Sequence, residues 1–383
     1  MRALYPRFSD AEMERRHAAV AAVMAERDVE HMLVYGANRF GLGVGWLTRW
    51  PVTREAFVLV AAGEPDVLFV DFYNHVPNAR LIATEADVRP AEARGVELPL
   101  AELRRRGAGG RRIGVIGPLP WRQGARLREE LGAELVSLDG EFARLRLVKS
   151  AEELAWLRTG CELTDRAVAA LRAGARPGLD ERELGALVEC AYLGSGGTTH
   201  IHYFATTPMD RPGVAAPAQW PSSRALAVGD ALVCEISASW WDYPGQVLRT
   251  FTVGAEPAAL YRELHDVAEA AFDAIAARLR AGATAAELVD AAGVIEDAGF
   301  TIRDDLVHGF VGGYLPPVLG SRSRMLDEVP ELTFAPGMTV VVQPNVVTSD
   351  ETAGVQTGEL LLVTEDGVEP LHAVERGLLP AAL

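Results

Sequence analysis

The chain has 383 residues, with 53 acidic against 37 basic side chains and a formal charge of −16. That surplus argues against nucleic-acid binding, which needs a basic face, and the largest basic cluster is only Arg104-Arg105-Arg106, followed by Arg111-Arg112. With 49% hydrophobic and 23% charged residues the composition is that of a folded protein long enough for two domains, and large-scale disorder is excluded. The cysteines, Cys161, Cys190 and Cys234, form no CxxC pair, and no run of eighteen uncharged apolar residues occurs, so a reduced, soluble, cytoplasmic protein is expected.

The first third alternates helix and strand. Ser9-x-x-Glu12 predicts a capped helix to about Asp28, and the apolar run 31–36 a buried strand. Strands at 56–63 and 67–72, separated by Gly63, Pro65 and Asp66, predict a hairpin. A strand at 112–117, a helix from Trp121 to Leu131 and a strand at 134–138 complete an α/β unit, with Glu141–Lys149 as a linker and domains of 1–145 and 146–383. Beyond it, Ser150-x-x-Glu153, Asp180-x-x-Glu183 and Thr284-x-x-Glu287 each cap a helix, and a further helix spans about Pro257–Arg280. Leu171-Arg-Ala-Gly-Ala175 recurs as Leu279-Arg-Ala-Gly-Ala283, each copy at a predicted helix end before a capped helix, which suggests a duplicated helix pair. Strands at 231–241, 246–253, 338–347 and 358–364 make the second domain α+β with internal pseudo-symmetry.

Several short motifs then occur in one order: Arg146-Leu-Val-Lys149-Ser-Ala-Glu-Glu153, Arg176-Pro-Gly178, Gly229-Asp230, Arg249-Thr-Phe251, His308-Gly309, Pro336-Gly-Met338 and Val363-Thr-Glu-Asp-Gly367. In that order and spacing they resemble the creatinase/aminopeptidase P family over essentially the whole chain. The resemblance implies an α+β architecture, with a creatinase-like α/β domain followed by a pita-bread domain, and a homodimer in which the partner's N-terminal domain approaches the pocket. In most such proteins two Asp, one His and two Glu hold two divalent metals. Those positions fall here on Glu235, Gln246, His308, Gln343 and Gly358, with Glu359 one step beyond the last. Two histidines that face the substrate in the peptidases fall on Ala218 and Leu315.

Two divalent ions bring four positive charges, and this constellation supplies one carboxylate, two neutral amides and one imidazole, which disfavours a dinuclear centre. No cofactor is therefore expected. Glu235, Gln246, His308 and Gln343 are expected to form a polar floor, with Gln246 and Gln343 able both to donate and to accept. His308 and Glu235 are the candidates for proton transfer, an imidazole titrating near neutral pH and a carboxylate orienting it. His200 and His202 alternate on a strand and should share one face. His202 and Tyr203 are candidate substrate contacts, Trp220 a candidate aromatic wall, and Asp242 and Glu359 acids able to bend in. Arg49 and Arg54 are candidates for gripping a substrate carboxylate.

The reading is a metal-independent hydrolase of an amide or amidine C–N bond in a small polar amino-acid-like metabolite. An Xaa-Pro metallopeptidase with atypical ligands and a non-catalytic pita-bread binding protein are the alternatives. Neither a nucleic acid nor a membrane is expected as a partner.

Overall fold

The computed structural model describes residues 4–325 and 328–381, and the chain divides into two units at Leu145 and Arg146. In the first unit α1 (Asp10–Glu26) starts at Ser9, whose hydroxyl accepts the Glu12 N–H. It is followed by β1 (His31–Ala37), α2 (Leu42–Thr48), β2 (Glu55–Ala61), β3 (Glu64–Val70), α3 (Val76–Ile82), β4 (Asp87–Pro90), α4 (Glu97–Arg105), β5 (Arg112–Ile116), α5 (Trp121–Leu131), β6 (Glu134–Ser137) and α6 (Asp139–Leu145). The six strands form one sheet in the order β4-β3-β2-β1-β5-β6, with β1, β2 and β3 antiparallel and the outer neighbours parallel. Both faces of β1 and β2 are buried, which is why they read as unbroken apolar runs. The stretch expected as a linker is mostly α6: Phe142 is buried, and charged neighbours flank a helical turn.

The second unit opens with α7 (Ala151–Gly174) and α8 (Glu181–Cys190), each with the complete capping box expected of it. Then come β7 (Thr198–Pro208), β8 (Asp230–Trp240), β9 (Tyr243–Pro244), β10 (Val247–Val253), α9 (Ala259–Arg278), α10 (Ala285–Ala291) and α11 (Val294–Asp297). The chain continues through β11 (Thr301–Ile302), β12 (Val307–Phe310), β13 (Tyr314–Leu319), β14 (Thr339–Val342), β15 (Asn345–Val347), β16 (Gly354–Gln356) and β17 (Gly358–Val363). An antiparallel path β13-β12-β14-β17-β10-β8-β7 carries the site, and β11-β15-β16 form a small second sheet.

Two helix layers cover one face of the long sheet. Leu163, Val168 and Leu171 of α7 and Val188 of α8 pack on Leu232, Cys234 and Ile236, while Leu264, Phe272 and Ile275 of α9 pack near Val307, Val340, Val342 and Leu361. The duplicated string is out of phase in the two halves. Leu171 lies inside α7 whereas Leu279 already caps α9, so the second helix stops one turn earlier along the repeat. The expected strand 338–347 is two strands in two sheets, interrupted at Gln343-Pro344, where proline removes a ladder donor.

Candidate functional site

Alternation along the strands decides which side chains meet. On β8, Leu232, Cys234 and Ile236 face the helices, so Glu235 and Ser237 face the other way, and Tyr203 of β7 sits directly opposite Glu235. On β12, Val307 faces the helices and His308 and Phe310 do not. On β17, Leu361 and Val363 face the helices, and Glu359 shares their parity while Gly358 does not. The helix-free face therefore gathers Glu235, His308 and Gly358, joined by Gln246 and Gln343 from the ends of β10 and β14.

The floor is one hydrogen-bonded chain. Gln246 Nε2 donates to Glu235 Oε1 at 2.7 Å and to Gln343 Oε1 at 3.3 Å. Gln343 Nε2 in turn donates to the carboxylate of Asp305, and Asn345 Nδ2 to the Asp305 carbonyl at 2.8 Å. The two glutamines thus bridge two buried acids, Glu235 and Asp305. Burial and the neighbouring Asp304 and Asp305 charges push Glu235 up to about 8, against the pull of Gln246. Burial and Asp304 likewise push Asp305 up to about 8, against Gln343 and Tyr314. Tyr203 is raised by burial, Glu235 and Asp304.

His308 differs from expectation. It is fully buried, stacked on Tyr314 with ring centroids 4.0 Å apart and edge-on to Phe310 at 5.5 Å. Among the described residues neither ring nitrogen has a hydrogen-bond partner and no carboxylate orients the imidazole, and burial lowers its pKa to about 3. The ring is neutral at physiological pH and unsuited to the neutral-range proton transfer expected of it.

Other expected contacts part from the floor. Strand β7 carries a bulge between Thr199 and Ile201, so His200 and His202 do not share one environment. His200 lies edge-on to Phe310, while His202 Nε2 bonds the Tyr192 hydroxyl at 2.7 Å in the helix-packed layer. Glu359 is buried against Arg249 at 2.6 Å, and Asp242 lies in the turn between β8 and β9 at φ 66°. Trp220 is 86% exposed and walls nothing in. In the first unit Arg49 is buried and held by Glu85 at 2.9 Å, a structural pair rather than a free grip, and Arg54 pairs with Asp71 at 3.1 Å while its head lies over Phe72.

Three residues had no reading from sequence. Asp305 is one; its signal is the acidic pair Asp304-Asp305 just before His308. The others are Asp165 and His372. Asp165 holds His372 Nδ1 at 2.5 Å and the Ala373 N–H at 2.8 Å, and His372 Nε2 accepts the Gln246 N–H at 3.2 Å. Burial lowers the His372 pKa while Cys161 and Asp165 raise it, and the Gln246 N–H that Nε2 accepts belongs with a neutral ring whose proton sits on Nδ1 toward Asp165. This relay fixes the backbone from which Gln246 reaches Glu235.

A dinuclear metal centre does not fit these residues. Among the described residues no group of three or more His, Cys, Asp or Glu is arranged to hold an ion. Gly358 leaves no space for a ligand side chain: a Cβ there would lie 2.5 Å from the Val342 carbonyl oxygen and 2.6 Å from Gln343 Cα. The amides of Gln246 and Gln343, poor ligands for a hard cation, are engaged with their neighbouring acids.

The model of the creatinase/prolidase N-terminal domain matches residues 16–148, and that of metallopeptidase family M24 matches residues 155–365. An Xaa-Pro dipeptidase of Pyrococcus furiosus is 26% identical over 269 residues, covering 70% of this chain and 75% of its own. An uncharacterized hydrolase/peptidase of Sinorhizobium fredii is 25% identical with 97% of both chains covered. Among solved structures, an Xaa-Pro dipeptidase from Bacillus anthracis has a TM-score of 0.82 at 19% identity, covering 96% of this chain and 99% of its own. A dipeptidase from Mycobacterium ulcerans has a TM-score of 0.81 at 21% identity, covering 99% and 100%. With its creatinase-type first unit, its pita-bread second unit and a model match over more than half its length, the chain belongs to metallopeptidase family M24.

Proposed function

We propose that the chain hydrolyses a C–N bond in a small, polar, dipeptide- or amide-like substrate without a dinuclear metal. The observation that carries this reading is the pair of buried carboxyls, Glu235 and Asp305, linked through Gln246 and Gln343 and both held near neutral pH. Two acids whose protons come off near neutrality supply what amide hydrolysis needs. One in its ionised form takes a proton from the attacking water. The other, protonated, gives a proton to the leaving nitrogen, so that acid and amine are the products. Neutral His308, with Tyr314 stacked on it, contributes a hydrogen-bonding edge and a flat wall.

A second reading, an Xaa-Pro metallopeptidase with atypical ligands, is favoured by the names of the relatives. The two separate on purified protein. Xaa-Pro dipeptides and small amides are incubated with and without a chelator, amine release is followed, and bound metal is measured. The metal-free reading expects activity that survives chelation and falls by at least about a hundredfold in Glu235→Gln and Asp305→Asn. Two equivalents of bound transition metal, with activity lost on chelation, would sink it in favour of the metallopeptidase. Absence of any C–N hydrolysis would sink both and leave a binding protein.

A further inference from the structure

We infer that Ser237 and Gln246 grip the scissile amide itself, Ser237 at its carbonyl oxygen and Gln246 at its N–H, so that the substrate carries a hydrogen on the amide nitrogen and is not a prolyl-type, N-substituted amide; this rests on the hydrolase reading of the same site. The alternation that turns Glu235 away from the helices turns Ser237 the same way. On the neighbouring strand Val247 pairs with Ile236, and the Gly245 N–H donates to the Ala238 carbonyl at 3.1 Å. Between these two pairings Ser237 and Gln246 stand opposite each other. Opposed residues of an antiparallel pair share a face, with Cβ atoms about 5 Å apart, and Glu235 follows on that face roughly 7 Å along the strand.

Both side chains are fully buried, and among the described residues neither Ser237 Oγ nor Gln246 Oε1 has a hydrogen-bond partner. The direction of the bridge decides which atom of Gln246 is free. Gln343 gives its own Nε2 to Asp305 and turns Oε1 to Gln246 as an acceptor, so Gln246 must present Nε2 to it and to Glu235. Gln246 Oε1 is left as an acceptor without a donor, and Ser237 Oγ has a proton to give. A buried oxygen and a buried hydroxyl left in that state are costly, and the N–H and C=O of one amide satisfy both. A prolyl nitrogen brings ring carbon to Gln246 in place of a hydrogen. During hydrolysis the water oxygen bonds to the carbonyl carbon as the ionised acid takes its proton, and the carbonyl electron pair moves onto oxygen under the Ser237 O–H. The C–N bond then breaks as the second acid protonates nitrogen, whose own hydrogen stays on Gln246 Oε1.

The test compares alanyl-glycine and alaninamide with alanyl-sarcosine and alanyl-proline on the full chain. The better of the two N–H amides is expected to exceed both N-substituted ones in kcat/KM by at least about a hundredfold. Gln246→Met keeps the length without the acceptor. It should lower kcat/KM for the N–H amides at least about tenfold and leave alanyl-sarcosine within about threefold, which separates a lost hydrogen bond from a methyl group's bulk. Ser237→Ala should lower kcat on the best substrate about a hundredfold with KM changed less than about threefold, and Ser237→Thr should restore part of it. Equal kcat/KM across the four substrates, a preference for alanyl-proline, a preference unchanged in Gln246→Met, or an undiminished kcat in Ser237→Ala would overturn the inference; the first two leave the hydrolase reading standing. If none of the four is hydrolysed, the hydrolase reading falls and titration calorimetry decides. Binding of an N–H amide at least about tenfold tighter than alanyl-sarcosine upholds the grip, and equal binding, or none up to about 50 mM, overturns it.

Discussion

The two units treat buried charge in opposite ways. In the first, Arg16 lies on Glu12 at 2.7 Å and also donates to the Trp46 carbonyl, Arg106 lies on Glu102 at 2.9 Å, and Arg49 lies on Glu85. Each buried arginine there has its acid. In the second, Arg249 follows that rule with Glu359, but among the described residues Glu235 and Asp305 are bridged by neutral amides and the His308 ring has no hydrogen-bond partner. Matched charges hold architecture together; the unmatched pair of acids marks the candidate site.

The largest effect should come from breaking a matched site. Arg249→Met would strand buried Glu359 and release the carbonyls of Leu248, Gly358, Val374 and Glu375. A loss of about 3–5 kcal/mol is expected in urea melts. Gly358→Ala comes next, because its methyl group meets backbone rather than a yielding side chain. About 1–3 kcal/mol should be lost, with activity falling further than stability as Gln343 is pushed off its bridge.

Glu235→Gln should have the opposite sign. Glu235 ordinarily titrates near 4.5 and here near 8, so across that interval the folded state holds a proton that the unfolded chain has released. Stability therefore falls as pH rises from the ordinary value through the folded one, by on the order of 1 kcal/mol per pH unit for each such group. His308 runs the other way, losing stability as pH falls from 6.5 toward 3. The glutamine variant should show a flatter decline between pH 5 and 8 and be the more stable protein at pH 8, while inactive; a variant less stable at pH 8 would contradict the unmatched acid. Arg54→Ala, removing an exposed partner of Asp71, should shift stability by less than about 0.5 kcal/mol. A large change there would mean that the first unit depends on its surface pairs as well.

Much of the architecture could be read from sequence because it rests on local rules. The capping boxes at Ser150, Asp180 and Thr284 are complete in the structure, and the buried strands show as apolar runs. The site was legible where motif and strand alternation agree, as at Glu235, Gln246 and Gln343. It was obscured where one residue changes parity. A bulge sends His200 and His202 apart, and the step from Gly358 to Glu359 moves a carboxylate from the floor to Arg249. Asp305 stayed hidden because its role is made by Gln343, 38 residues further along the chain, and His372 because its partner Asp165 is 207 residues away.

That last separation has a kinetic consequence. Gln246 is aimed through a contact that closes a loop of two hundred residues, and such closures come late, after local helices and hairpins have formed. Secondary structure and much of the apolar packing can be in place before Asp165 finds His372. During refolding, recovery of activity should therefore lag behind recovery of helical signal, and Asp165→Asn should lengthen the lag. A catalytic readout would then be the strictest gauge that the chain has reached its native state.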